Sequence, residues 1–200
     1  MDCNPVNTPT KPSFELHKNP IGKKVDSKLY KQIVGSLMYL TTTRPIIMYS
    51  VNLISRHMEN PIEMHLSVAK RTLCYLQGKR DFGLLHKTSE MSNILGYTNS
   101  DYAGDYYKRK STSRYAFIFG SCAISWSAMK QPIVTLSTTE AEFVPMTACA
   151  CQAIWLRRLQ EELKFKQPEA TNIFCDNSLA IQPFKNPVLH RRCKHIDVKF

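Results

Sequence analysis

An α/β domain with a mixed sheet and one crossing helix, preceded by a small helical module, is the architecture this sequence predicts. Three observations carry that expectation. Apolar residues recur at helical spacing between Asp26 and Gly78. From Ile94 onward the pattern changes to short alternating runs rich in β-branched and aromatic residues. The second half then reads strand, strand, strand, helix, strand, an order in which the helix crosses back and the fourth strand lies parallel to the first.

Residues 1–25 contain Pro5, Pro9, Pro12 and Pro20 with Asn, Lys and Thr between them and no periodicity, so an extended lead-in is expected. Residues 26–93 form the helical module. Leu29, Ile33, Leu37 and Leu40 mark a first helix that Arg44-Pro45 interrupts, and Ile47, Val51, Ile54 and Met58 mark a second. A third opens with Asn60 as N-cap and Pro61 at the first helical position, carries Leu66, Ala69, Leu73 and Leu76, and stops at Gly78.

Residues 94–200 form the α/β domain. Strands are predicted over Ile94–Asn99, Arg114–Phe119 and Ala123–Ser127, which short turns join into a meander. Ser137 and Glu140 form a Ser-x-x-Glu capping box that opens the crossing helix, which runs to Leu163. The fourth strand is Asn172–Cys175.

The 200 residues, 43% of them apolar, suffice for one ordinary core or two small ones. The net charge of +11 favours a polyanionic partner such as nucleic acid, against the plainer reading of a basic soluble domain. Residues 1–93 carry 13 Lys and Arg against 7 Asp and Glu, and residues 94–200 carry 14 against 9, so neither half is an isolated basic tail. Seven cysteines lack a disulfide-scaffold spacing and suit a reducing interior. No run has the length of a signal peptide or approaches the roughly 20 apolar residues of a membrane span, so an intracellular, cytoplasmic or nuclear protein with no membrane partner is expected. Dispersed glycines offer no phosphate-cradling loop.

Three positions bear on chemistry. Asn99 on the first strand, Glu142 in the first turns of the crossing helix and Asp176 at the end of the fourth strand would meet above one sheet edge. Carboxylates converging in this way are what two-metal phosphodiester hydrolysis needs, one Mg²⁺ activating water and the other stabilising the leaving oxygen. Each acid alone has a plainer reading: Glu142 favours a helix N-terminus, and Asp176 caps the helix that follows it. Lys108-Arg109-Lys110 and a second cluster with Arg191, Arg192 and Lys194 can grip phosphates, or simply form solvated basic faces. Tyr102, Tyr106 and Tyr107 can stack on bases, although aromatics at a strand edge more often complete a core.

Longer blocks carry a family resemblance. Tyr30-Lys31-Gln32-Ile33-Val34-Gly35-Ser36-Leu37-Met38-Tyr39-Leu40 with Thr43-Arg44-Pro45 resembles the segment closing the reverse transcriptase of copia-type retrotransposon Pol polyproteins. Gly96-Tyr97-Thr98-Asn99-Ser100-Asp101, Lys110-Ser111-Thr112-Ser113, Ser125-Trp126-Ser127, Lys130-Gln131, Ser137-Thr138-Thr139-Glu140-Ala141-Glu142, Asp176-Asn177 and Lys194-His195-Ile196-Asp197 resemble successive blocks of the adjoining ribonuclease H. The resemblance implies a ribonuclease H-like sheet, Mg²⁺ as cofactor, an RNA:DNA hybrid as partner and hydrolysis of its RNA strand. It implies Glu142 and Asp176 as metal ligands, with Asn99 at the first catalytic position.

Four departures from that pattern predict weak or absent cleavage. The family has Asp where this chain has Asn99, and an amide supplies only a neutral oxygen. Asp101, of the same strand parity, is the candidate substitute ligand, while Asp105 reads as a turn residue. A final acidic site of the family lies beyond the Lys-His-Ile-Asp block, so the domain is expected to be incomplete at its C-terminus. Pro145 falls three residues after Glu142, removes a backbone donor and crowds the carbonyl of Ala141, at about 3 kcal/mol in an ordinary helix interior. The bend would act where Glu142 must be aimed, the plainer reading being that the helix begins later or kinks harmlessly. Arg114 stands where the family has glycine, and Ile46 where it has an acid. The competing expectation is a module that binds nucleic acid or another protein without catalysis.

Overall fold

The computed structural model describes residues 3–11, 16, 22–85, 87, 93–165 and 167–185, the last three without their side chains. The chain divides into two compact units, Met1–Leu84 and Leu85–Phe200.

The first unit is helical. Helix α1 spans Ser27–Leu40, a 3₁₀ turn Pro45–Ile47 leads into α2 at Met48–Ser55, and α3 spans Glu63–Gln77. Their core joins Tyr30, Val34 and Leu37 of the first helix to Ile47, Val51 and Ile54, and to Val68, Ala69 and Tyr75 of the third. The buried face of α1 is thus rotated from the predicted stripe: Leu29 and Leu40 are exposed, and Tyr30 is fully buried. A tyrosine can go inside because its hydroxyl donates to the Ile54 carbonyl at 2.8 Å.

Helix α3 starts two residues later than its Pro61 predicts. Lys24 and Ile62 form a β-bridge, with Val25 N donating to Pro61 O and Glu63 N to Lys23 O, so residues 61–62 stay extended. Ile62 becomes the N-cap, and its backbone N–H donates to His65 Nδ1 at 3.2 Å. The described residues of the lead-in form no helix, but Val6 and Leu16 pack against the helical core.

The second unit is α/β. Strands β1 (Ile94–Asp101), β2 (Thr112–Phe119), β3 (Cys122–Lys130) and β4 (Asn172–Cys175) form one mixed sheet in the order β3-β2-β1-β4. β1 pairs antiparallel with β2 and parallel with β4, and β2 pairs antiparallel with β3. This sheet with its crossing helix is compatible with a ribonuclease H-like fold. Helix α4 (Thr138–Glu162) packs on the sheet, and Ile94, Phe117, Cys149, Ala153 and Leu156 make the core between them. The contact is close enough to require glycine at position 96. A Cβ there would stand 2.9 Å from the Phe117 ring and 3.3 Å from Cys149 Sγ.

Ser137 caps α4 as predicted, accepting from Glu140 N at 3.1 Å, while the Glu140 carboxylate reaches one residue further back to Leu136 N. The helix neither starts late nor stops at Pro145, and continues to Glu162. Helix α5 (Ser178–Lys185) follows β4. No described helix is long and apolar enough to cross a membrane.

Candidate acidic site

Two parallel strands build this site where the shorter one, β4, ends alongside β1. The last pair of the β1–β4 ladder is Thr98 with Cys175, so the next residues, Asn99 and Asp176, fall side by side. Asn99 Nδ2 donates to Asp176 Oδ2 at 2.9 Å. On the other flank of β1, Arg114 of β2 is the register partner of Asn99 and its Nη2 donates to Asn99 Oδ1 at 2.6 Å. The amide can sit only one way round in this chain, because a guanidinium only donates and a carboxylate only accepts.

Glu142 enters from the first turns of α4. Its Oε1 accepts the Ser100 backbone N–H at 2.9 Å, and Cys175 Sγ donates to Oε2 at 3.8 Å. Ligand atoms of Glu142, Cys175 and Asp176 all lie within 4.8 Å of one another. Glu142 is only 6% exposed, and this burial raises its pKa; the Ser100 N–H opposes the rise and the Asp176 charge adds to it. Burial also raises the Cys175 thiol. Asp176 does not cap α5: Asn177 Oδ1 does so, accepting from Leu179 N at 3.0 Å and Ala180 N at 3.2 Å. The Asp176 carboxylate is left facing Asn99.

Gln131 is the residue that sequence reasoning passed over. Buried between β3 and α4, it donates through Nε2 to the Ala141 carbonyl at 2.8 Å and lies within 3.2 Å of Ser100 Oγ and 3.0 Å of Ser113 Oγ. Ala141 O is the carbonyl that Pro145 deprives of its helical donor, so Gln131 supplies the missing hydrogen bond one residue before Glu142. The signal was present as Lys130-Gln131 and Pro145, but only tertiary contact joins them.

The remaining predicted residues lie elsewhere. The Asp101 carboxylate accepts the Thr112 backbone N–H and lies outside the Glu142–Cys175–Asp176 group. Asp105 is the predicted turn residue: its Oδ1 accepts from Tyr107 N at 3.0 Å and Lys108 N at 2.8 Å, and its Oδ2 pairs with Lys130. Lys110 Nζ donates to the Pro132 carbonyl, whereas Lys108 and Arg109 are exposed. Tyr102, Tyr106 and Tyr107, which a strand edge would be expected to bury, are 45%, 54% and 49% exposed. Arg191, Arg192 and Lys194 lie outside the described residues.

No protein-family profile matches the chain, and no solved structure does. Among curated proteins it is 39% identical, over its whole length, to the retrovirus-related Pol polyprotein from transposon TNT 1-94 of Nicotiana tabacum, covering 15% of that protein. It is likewise 39% identical over its whole length to the Pol polyprotein from transposon RE1 of Arabidopsis thaliana, covering 14% of it. It is also 36% identical, over 64% of its residues, to the secreted RxLR effector protein 161 of Plasmopara viticola, covering 90% of that protein. The chain thus spans about one-seventh of the Pol polyproteins it matches. Its homologues at 37–39% identity over the whole chain are thus retrovirus-related Pol polyproteins from copia-type transposons.

Proposed function

We propose that residues 94–200 are a ribonuclease H-derived domain that holds RNA:DNA hybrids and cleaves them weakly or not at all, and that residues 26–93 are the closing segment of a reverse transcriptase. The observation that carries this reading is the convergence of positions 99, 142 and 176, drawn from β1, α4 and the residue after β4, at one end of the sheet. Those are three of the acidic positions a metal-dependent ribonuclease H uses, the first of them an amide in this chain.

The donor set does not fit Mg²⁺. A hard ion of that size needs several oxygens in near-octahedral array. Here the Asn99 oxygen accepts from Arg114, Glu142 Oε1 accepts from Ser100 N, and the third nearby ligand atom is a thiol sulfur. No hydrolytic step is therefore assigned to these residues. Binding draws support from the loop 102–110, where the exposed Lys108 and Arg109 stand beside three exposed tyrosines. Cations on such a loop attract phosphates, and tyrosine faces stack on unpaired bases.

The test is a labelled RNA:DNA hybrid offered to folded protein with Mg²⁺ or Mn²⁺. Salt-sensitive binding with little or no cleavage is expected. Efficient cleavage that Glu142→Gln abolishes would refute the impaired site, and absence of binding at modest salt would remove the nucleic-acid role.

A further inference from the structure

Two departures from the family pattern meet at the acidic site, Asn99 and Arg114. In the β1–β2 register Arg114 stands directly opposite Asn99, and its Nη2 lies 2.6 Å from the amide oxygen. The amide passes the interaction on, since its Nδ2 lies 2.9 Å from Asp176 Oδ2. A chain of guanidinium, amide and carboxylate thus runs from β2 across β1 to the residue that follows β4. Glu142 feels the same cation, which favours its charged form.

We propose that Arg114 is a built-in cation for this site: through Asn99 it takes the charge-balancing role of a divalent ion and keeps the acidic cluster closed without metal. The two substitutions act as a pair. An amide at position 99 can accept from Arg114 and donate to Asp176 together, which neither a carboxylate nor an aliphatic side chain can do. Restoring a carboxylate at 99 alone would set it opposite Arg114, where it would pair with the guanidinium instead of facing an ion. A divalent ion entering beside Asp176 would also meet the repulsion of the guanidinium. The inference rests on the ribonuclease H reading only for the expectation that an ion would otherwise occupy the cluster.

The experiment is Mn²⁺ binding by the full chain without nucleic acid, followed by calorimetric titration and by the shift in melting temperature. The unaltered chain and Asn99→Asp should show little saturable binding and no stabilisation. Asn99→Asp with Arg114→Ala should bind Mn²⁺ at least about tenfold more tightly, the scale set by removing one nearby unit charge. Adding Glu142→Gln to that pair should abolish the gain. Should the double variant not fold, Arg114→Gln alone serves: its melting temperature should fall without metal and recover with Mn²⁺. Equal Mn²⁺ binding by the unaltered chain and the double variant, or an Arg114→Gln variant that melts like the unaltered chain with and without Mn²⁺, would overturn the proposal. Hybrid binding and cleavage play no part in these readings, so failure of the nucleic-acid role leaves them intact.

Discussion

The side-chain amide of Gln131 donates to the Ala141 carbonyl at 2.8 Å, filling the hydrogen bond that Pro145 removes from α4. This one contact reconciles an interior proline with an unbroken helix. It also fixes the turn from which Glu142 projects, because Ala141 and Glu142 are neighbours and Gln131 lies close to Ser100, whose backbone N–H holds Glu142 Oε1.

Gln131→Ala should therefore destabilise the protein by about 1–3 kcal/mol, the cost of a buried carbonyl left without a donor. With Pro145→Ala the helix regains its own N–H at position 145, and the Gln131→Ala penalty should shrink by about 1 kcal/mol. Urea denaturation of the four members of this cycle gives the coupling. Strict additivity would mean that Gln131 does not compensate the proline.

Cys149 lies fully buried beneath Gly96, and burial raises its thiol to about 11. Between the ordinary thiol value of 9.0 and that value the native state keeps a proton that the unfolded chain has lost. The resulting stability is complete below pH 9.0 and is lost as pH rises through about 11. Cys149→Ala should flatten this fall in denaturation profiles recorded across that range. In the native protein at pH 8, iodoacetamide should label the exposed Cys151 and spare Cys149, a difference that peptide mapping reads directly.

The three positions were legible because each belongs to, or directly follows, an element whose type the local pattern reveals. Asn99 lies in an alternating run, Glu142 follows a capping box, and Asp176 follows a short strand. Arg114 and Gln131 were not legible as partners of that group. Their roles depend on which residue faces which across β1 and β2, and on where α4 rests on the sheet. The first unit shows the same limit. Apolar spacing located its helices, but the buried face of α1 turned on a tyrosine with a carbonyl within reach, and the start of α3 on a β-bridge to residue 24. Contacts between residues distant in sequence decide such details, and local periodicity does not report them.

Arg44 illustrates a motif residue whose work is structural. Its Nη1 donates to Lys79 O at 2.7 Å and its Nη2 to Arg80 O at 3.2 Å, so one planar fork ties the start of the 3₁₀ turn to the turn that ends α3. Lysine keeps the charge but cannot make two divergent bonds of this kind. Arg44→Lys should cost about 1.5–3 kcal/mol, the scale of a hydrogen bond to a charged group. Amide exchange should accelerate at Lys79 and Phe82, whose N–H groups close that turn, and remain slow in β1–β3.

The loop held by Asp105 carries the prediction for nucleic acid. Lys108 and Arg109 are exposed there, while Lys110 and Lys130 are occupied by the Pro132 carbonyl and the Asp105 carboxylate. Only the first two are therefore available to phosphates from this cluster. Each phosphate contact contributes about 0.9 to the slope of log K against log salt on a B-form duplex. Lys108→Ala with Arg109→Ala should lower the slope for a hybrid by about 2 and weaken binding alike across sequences. Lys110→Ala should change the slope far less. Tyr106→Ala should leave the slope unchanged but weaken binding to a hybrid with a single-stranded overhang, since stacking needs an unpaired base and carries no charge. Fluorescence anisotropy over a salt series separates the three variants. A Lys110→Ala slope change as large as that of the Lys108 and Arg109 pair would show that the loop releases its internal contacts on binding.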